Sequence, residues 1–307
     1  MNPSTAVPRH ASRALRAVSA VAISAVLALV AGCSSAGSDE TPVTDDVPAV
    51  AVNDAAVQQL PDAIKSAKVL RVAIPTNEPP TQFFKEGTRH MTGINPDVAR
   101  LIGQALGVKV DIYVVNFDSI IPGMAAGRFD MTVSSMTPTT TRMEILDFVD
   151  YMQFGNAIAV PKGNALQLDE NALCGRKVAF LIGSYQLTVN LPEYDTACQE
   201  AGQPAIVSSE YQDTRQAISA LTSGRQDAVL ADSPILDYAA TQNPDIEIAS
   251  TFGFAPVAVG TPKDSGLVKP ISVALTGLLA GDPYHTVLAK YGVDSAAITD
   301  ARVNIPQ

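Results

Sequence analysis

The sequence predicts an α/β protein built as two similar lobes, and three observations carry that prediction. From Lys68 onward, short β-rich runs alternate with stretches of helical apolar period. A ten-residue signature, Met124 to Val133, occurs again as Leu221 to Leu230. Each copy is followed by polar residues rather than by more apolar ones. The composition can support such bodies: of 307 residues, 47% are hydrophobic, 17% charged and 6% aromatic, with no Trp. That is apolar material for a sizeable core, and the length suits about two domains at roughly 150 residues each.

The first residues read as an address. Residues 1–16 carry Arg9, Arg13 and Arg16 and no acid, and residues 17–31 form an apolar run. The run has the length of a signal-peptide core and is short for a membrane span. It ends in Val30-Ala31-Gly32-Cys33. This resembles the lipobox of bacterial lipoproteins, in which cleavage precedes the Cys and its thiol receives diacylglycerol. The resemblance implies a signal peptide over 1–32 and a lipid anchor on Cys33. An ordinary secretory signal with an incidental Cys is the other reading. Lipid chains contribute about 0.8 kcal/mol per buried CH₂, so several on one residue hold firmly. Residues 33–60, rich at their start in Ser, Thr, Pro and Asp, read as a flexible tether.

Strands are expected over 69–74, 108–114 and 131–133, with a helix over 94–106 stopped at Gly107 and another over 118–126 stopped at Gly127. The order strand, helix, strand implies parallel pairing. The second half repeats it: strand 178–182, helix 184–201 broken at Pro192, strand 205–207, helix 213–223, strand 228–230. In both signatures a helix ends at a Gly able to take positive φ (Gly127, Gly224), a basic-acidic turn follows (Arg128 and Asp130, Arg225 and Asp227), and a buried strand begins. An exported chain meets an oxidising compartment, so Cys174 and Cys198 can close a disulfide; two buried thiols are the alternative.

The charge excludes several functions. Lys and Arg number 21 against 31 Asp and Glu, a net charge of −10. An acidic body argues against nucleic acid as a partner, and three His are too few for a His-rich metal cluster. The polar residues after the echoed strands, Ser134-Ser135-Met136-Thr137 and Ala231-Asp232-Ser233, sit where open α/β sheets bind ligands. Two lobes facing each other through such ends make a cleft for a small molecule. Taken alone, these residues also read as ordinary helix caps.

From about Lys68 to Tyr291 the sequence resembles the family 3 extracytoplasmic solute-binding proteins of polar amino-acid ABC transporters. The resemblance rests on Thr92-Gly-Ile-Asn-Pro-Asp, Asn116-Phe-Asp-Ser through Met136-Thr137, Arg142, Leu146-Asp-Phe-Val-Asp-Tyr151, Gly183-Ser184, Gly224 through Asp232, and Gly281-Asp-Pro-Tyr with Lys290-Tyr291. It implies a periplasmic-binding-protein type II fold, with Rossmann-like lobes joined by two crossover strands near 156–160 and 252–257. Lobe 1 would comprise 62–154 plus 256–303, and lobe 2 would comprise 155–255. Arg142 matches the Arg that grips a ligand α-carboxylate, which suits a planar, always charged, bidentate guanidinium. Ser135 and Thr137 match residues that assist it, Asp232 the carboxylate that takes the α-ammonium, and Phe117 an apolar packing position. Ser134 and Gly183 complete the expected site.

The match has departures. Glu78 stands where many members carry an aromatic; facing the cleft, it would favour a cationic side chain. Tyr185 replaces a small residue, and Gln153 and Asn156 add polar groups near the crossing. The resemblance implies a monomeric binder without cofactor or metal, on the outer face of the cell membrane, delivering a polar amino acid to a permease powered by a cytoplasmic ATPase. Two alternatives share the scaffold. One is an exported dehydratase of cyclohexadienyl acids, for which Glu78 is the candidate general acid. The other is a ligand sensor for a membrane receptor kinase.

Overall fold

The computed structural model describes residues 46–307. The expected signal peptide and Cys33 lie outside the described residues, and no helix among those described is long and apolar enough to cross a membrane. In chain order the elements are α1 (Asp54–Gln58), α2 (Asp62–Ala67), β1 (Val69–Pro75), β2 (Phe83–Phe84), β3 (Met91–Thr92), α3 (Ile94–Ala105), β4 (Lys109–Val115), α4 (Ile120–Ala125), β5 (Met131–Met136) and β6 (Leu146–Pro161). There follow β7 (Lys177–Leu181), α5 (Leu191–Glu200), β8 (Val207–Tyr211), α6 (Thr214–Thr222), β9 (Ala228–Asp232), α7 (Ser233–Gln242), β10 (Ile246–Pro262), α8 (Val268–Leu279) and α9 (Asp282–Lys290).

Eight strands form one sheet in the order β4-β1-β5-β10-β6-β9-β7-β8. The trios β4-β1-β5 and β8-β7-β9 are each parallel, with the first strand central. Between them run β10 and β6, antiparallel to each other over most of their length. The sheet therefore holds two equivalent α/β halves joined through one long two-stranded ladder. The cores divide at the same place. Val149, Tyr151, Met152, Phe154, Val257 and Val259 pack in the first half. Ala157, Ala159 and Ile246, with Ile158 and Val160 on the opposite face, pack in the second.

The repeated signature has a structural cause. Asp130 accepts the Arg71 N–H at 2.8 Å and donates its own N–H to the Arg71 carbonyl at 2.8 Å. Asp227 treats Lys177 alike, at 2.9 and 2.8 Å. In each half this Asp clamps the start of the third strand to the first strand. Arg71 adds a side-chain pair to Asp130, Nη2 to Oδ1 at 2.6 Å.

The ladder is irregular where it passes between the halves, with register shifts between Ile248 and Ser250, Phe252 and Ala255, and Val257 and Ala258. A Cβ on Gly155 would stand 2.8 Å from the Phe252 carbonyl oxygen, so only glycine lets the strands approach there. Gly253 takes φ +60° opposite it. The crossing in β6 lies slightly before the expected 156–160, because residues 156–159 already pair with β9.

Three further expectations are corrected. The tether expected over 33–60 ends sooner. Val50 N–H donates to Gln104 Oε1 and Asn53 N–H to the Ala105 carbonyl, both at 2.7 Å, while Ala56 and Leu60 enter the core. The second strand of the second half is not 205–207 but Val207–Tyr211. It is an edge strand with alternating exposure, so its sequence Val-Ser-Ser-Glu-Tyr lacks an apolar run. The helix expected to break at Pro192 instead passes into α5 through a π-helical turn, Gln186–Asn190. Pro192 then stands in the first turn of α5, where a residue without an N–H is tolerated.

Cys174 and Cys198 form a disulfide with Cα atoms 5.6 Å apart, fastening the loop before β7 to α5. Closing a loop of 24 residues constrains the unfolded chain by about 3 kcal/mol. The double variant Cys174→Ala/Cys198→Ala should lose stability of that order in urea titrations.

Candidate functional site

The two echoed strands, β5 and β9, flank the β10–β6 ladder, and their carboxyl ends point into one cleft. On the first side, Ser135 holds a left-handed backbone, φ +54°. For a residue with a Cβ this conformation costs roughly 1–2 kcal/mol and is fixed from below. Ser135 N–H donates to Tyr151 Oη at 3.1 Å, Tyr151 donates to Asn95 Oδ1 at 2.6 Å, and Asn95 Nδ2 donates to Ser135 Oγ at 3.1 Å and Gln82 Oε1 at 2.7 Å. All four side chains are buried. Gly93 permits this floor, because a Cβ there would lie 2.7 Å from Gln82 Cα. Ser134 Oγ is buried and makes no hydrogen bond among the described residues.

Arg142 begins a short 3₁₀ turn after β5 and is only 7% exposed. Its Nη1 donates to the Thr137 carbonyl at 2.7 Å and its Nη2 to the Gly183 carbonyl at 2.8 Å, the latter from the other half of the molecule. The guanidinium carbon lies 5.7 Å from the centre of the Phe117 ring, a cation–π distance. Burial lowers the Arg142 pKa to about 10, with the charge of Asp232 and the nearby Tyr185 opposing the shift.

Asp232 ends β9 and precedes α7 without capping it through its side chain. Its Oδ1 accepts Gln186 Nε2 at 2.7 Å, and the same amide nitrogen donates to Asn156 Oδ1 at 2.7 Å. Burial raises the Asp232 pKa to about 7; the charge of Glu78 adds to the rise, while Gln186 and Arg142 oppose it.

Glu78 is 3% exposed. Its Oε1 accepts the Thr214 N–H at the start of α6 at 2.8 Å, and its Oε2 accepts Gln82 Nε2 at 3.3 Å. Burial pushes this carboxyl up as well. The Glu78–Thr214 and Arg142–Gly183 hydrogen bonds therefore both span the two halves.

Of the residues expected at the site, Glu78, Phe117, Ser134, Ser135, Thr137, Arg142, Tyr185 and Asp232 line this single cavity. Gly183 contributes its carbonyl to Arg142 and does not line the space. The sequence reading did not single out Gln82, Gln186 and Thr214, which also line the cavity, or Asn95, which supports it. Asn95 lies inside the quoted Gly-Ile-Asn-Pro run and Gln186 three residues after Gly183. Their roles are long-range, so no local pattern marks them. The space left between these side chains is about 20 Å³, close to that of one water. The halves are closed upon each other. Two carboxyl groups and one guanidinium face it, and among the described residues no group of metal-ligating side chains is placed to hold an ion.

The sequence model of the bacterial extracellular solute-binding proteins, family 3, matches residues 70–294. The arginine-binding protein ArgT of Corynebacterium glutamicum is 27% identical over 252 residues, covering 80% of this chain and 81% of its own. Among solved structures, an ancestral arginine-binding protein bound to arginine matches with TM-score 0.67 and 29% identity, covering 73% of this chain and 98% of its own. The ancestral amino acid-binding protein AncCDT-1, a precursor of cyclohexadienyl dehydratase, matches with TM-score 0.65 and 28% identity, covering 75% and 98%.

The raised pKa of Asp232 sets a direction for pH dependence. Between its unfolded value, about 4, and its folded value of about 7, the folded chain holds a proton that the unfolded chain has lost. Stability must therefore fall as pH rises through that window. Asp232→Asn removes this component. Its stability relative to the parent chain should increase from about pH 4 to about pH 7 and level off above, read by urea unfolding across the pH range.

Proposed function

The chain belongs to the bacterial extracellular solute-binding proteins, family 3, and from that premise we propose that it captures a polar amino acid between its lobes and delivers it to an ABC permease. The observation that carries this reading is the placement of Arg142 and Asp232. They come from the ends of equivalent strands in the two halves and line the same cavity, one cation and one carboxyl group for the two charged ends of a zwitterion. Arg142 takes the α-carboxylate, with Ser135 and Thr137 assisting and Ser134 Oγ available as a further partner. Asp232, oriented by Gln186, takes the α-ammonium. Phe117 packs on the apolar part of the ligand, and Tyr185 narrows the space beside it.

Glu78 faces the cleft, so the side-chain end is acidic as well. With two carboxyl groups against one guanidinium, a ligand carrying net positive charge is favoured. The arginine named for ArgT and for the ancestral structure fits that inventory. A closed space of about 20 Å³ admits no amino acid, so the lobes part at residues 153–156 and 252–255 before the ligand enters. On closure the ligand carboxylate replaces the carbonyl oxygens that now occupy the Arg142 donors.

This reading involves no turnover. In the enzymatic alternative Glu78 would supply a proton, but both its oxygens are held as acceptors by Thr214 and Gln82. An ammonium partner such as Asp232 also has no use for a keto acid. The family match supports a permease as the partner over a receptor kinase. The lipid anchor on Cys33 would keep the binder on the outer membrane surface, with the segment before Asp46 as tether.

Calorimetric titration against the twenty amino acids, ornithine and citrulline tests the site. One chemically coherent group should bind one to one, cationic members tightest. Arg142→Ala should weaken that binding by about 2 kcal/mol or more, roughly thirtyfold, because a carboxylate is left unpaired in a closed cleft. Silence across the panel or an unchanged affinity would refute it. Separately, Cys33→Ala should move the protein from the membrane fraction to the soluble fraction of fractionated cells; retention would place the tether elsewhere.

A further inference from the structure

A second cavity of about 460 Å³ lies beside the crossover strands and shares no lining residue with the cleft. Its walls come from both halves: one face of α7, residues 291–293 with Ser295 and Ala296, and the crossing itself through Gln153, Phe154, Thr251 and Phe254. Two features set it apart from an ordinary surface recess. Phe254 is 67% exposed and Tyr238 is 40% exposed, so large aromatic faces stand open at the point where the lobes join. On α7, Asp237 precedes Tyr238 and also lines the cavity. Its carboxylate makes no hydrogen bond or ion pair among the described residues, and no Lys, Arg or His lines the cavity. Partial desolvation pushes this carboxyl up, as befits a charge whose surroundings offer it no partner.

A lone carboxylate among exposed aromatic faces, in a recess free of basic side chains, is complementary to one kind of small molecule. We propose that this cavity binds a small organic ammonium ion, its charge against Asp237 and its alkyl groups against Phe254 and Tyr238. Aromatic faces attract such cations through their quadrupoles, and alkylated ammonium groups are poorly hydrated compared with metal ions or protonated amines. Residues from both lobes form the walls, so the occupant touches both and is held only at lobe angles near the one seen here. This site is independent of the amino-acid reading and of the residues that carry it.

The test is a titration of the full chain, labelled with nitrogen-15, with tetramethylammonium chloride, against sodium chloride at matched ionic strength. Saturable amide shifts are expected at Tyr238, Gly292, Val293 and Ser295. Asp237→Asn and Phe254→Ala should each weaken the binding about fivefold or more. Phe254 is largely exposed, so its replacement leaves the cores intact, and an otherwise unchanged spectrum verifies the fold of both variants. Three results would overturn the proposal: no shifts at these amides, shifts of equal strength in Asp237→Asn, or shifts confined to Ser135, Gly183 and Asp232 in the cleft. Failure here leaves the calorimetric result in the cleft untouched, and the reverse also holds.

Discussion

Everything in this molecule hangs on two neighbouring strands that each serve both halves. β6 and β10, of 16 and 17 residues, hydrogen-bond to one another along most of their length and to one parallel trio at each end. A single covalent connection would leave the halves free to twist, whereas a paired ladder resists twisting and shear and yields mainly by bending. Bending is easiest where the ladder is least regular. The register shifts around Phe252–Ala255 and the close approach at Gly155 put that place between the two cores. The same ladder determines which groups meet. Because β5 and β9 are the strands adjoining it, their carboxyl ends, bearing Ser135 and Asp232, face each other across the crossing.

The cleft is a store of desolvated charge. Arg142, Glu78 and Asp232 are each driven toward their neutral forms by burial, and their mutual interactions offset that only in part. Buried charges of this kind contribute little to stability compared with apolar residues of similar size. Under the proposed reading their presence is explained by complementarity to a ligand rather than by folding. The backbone points the same way: Ser135 holds a strained conformation, and an Asn95–Tyr151–Gln82 network immobilises it. A floor fixed so rigidly aims donors without the entropy cost of ordering them on binding.

How much of this the sequence disclosed follows the range of each interaction. The repeated signature was legible because its pattern is local: a glycine ends a helix, a basic-acidic turn follows and a buried strand begins, although the strand clamp its Asp makes reaches 50 or more positions away. The polar strand ends were legible for the same reason. The π-helical turn before Pro192 and the edge strand Val207–Tyr211 were misread, since one is an exception to helix geometry and the other lacks an apolar run. The docking of residues 47–60 was invisible because its partners lie far off in the chain: Val50 N–H donates to Gln104 and Asn53 N–H to the Ala105 carbonyl. Glu78 was noticed as an unusual residue, but its hydrogen bond to Thr214, 136 positions away, belongs to tertiary structure alone.

That last contact links recognition to closure. The first half holds two groups that the second half satisfies: Glu78 receives the Thr214 N–H, and Arg142 donates to the Gly183 carbonyl. Opening the cleft breaks both hydrogen bonds and returns both groups to water, where solvation compensates for the loss. Closing it removes that water, and the groups must again find partners across the gap. A ligand that supplies a carboxylate to Arg142 and an ammonium to Asp232 substitutes charged partners for neutral carbonyls and amides, and charge-assisted hydrogen bonds are roughly twice as strong as neutral ones. Such a ligand stabilises the closed arrangement over the open one by the difference, and this differential affinity is the only means by which binding can shift a conformational equilibrium. Under the proposed reading, the groups that select the solute are therefore the same groups that bring the lobes together, and the β6–β10 ladder is what obliges them to act at once.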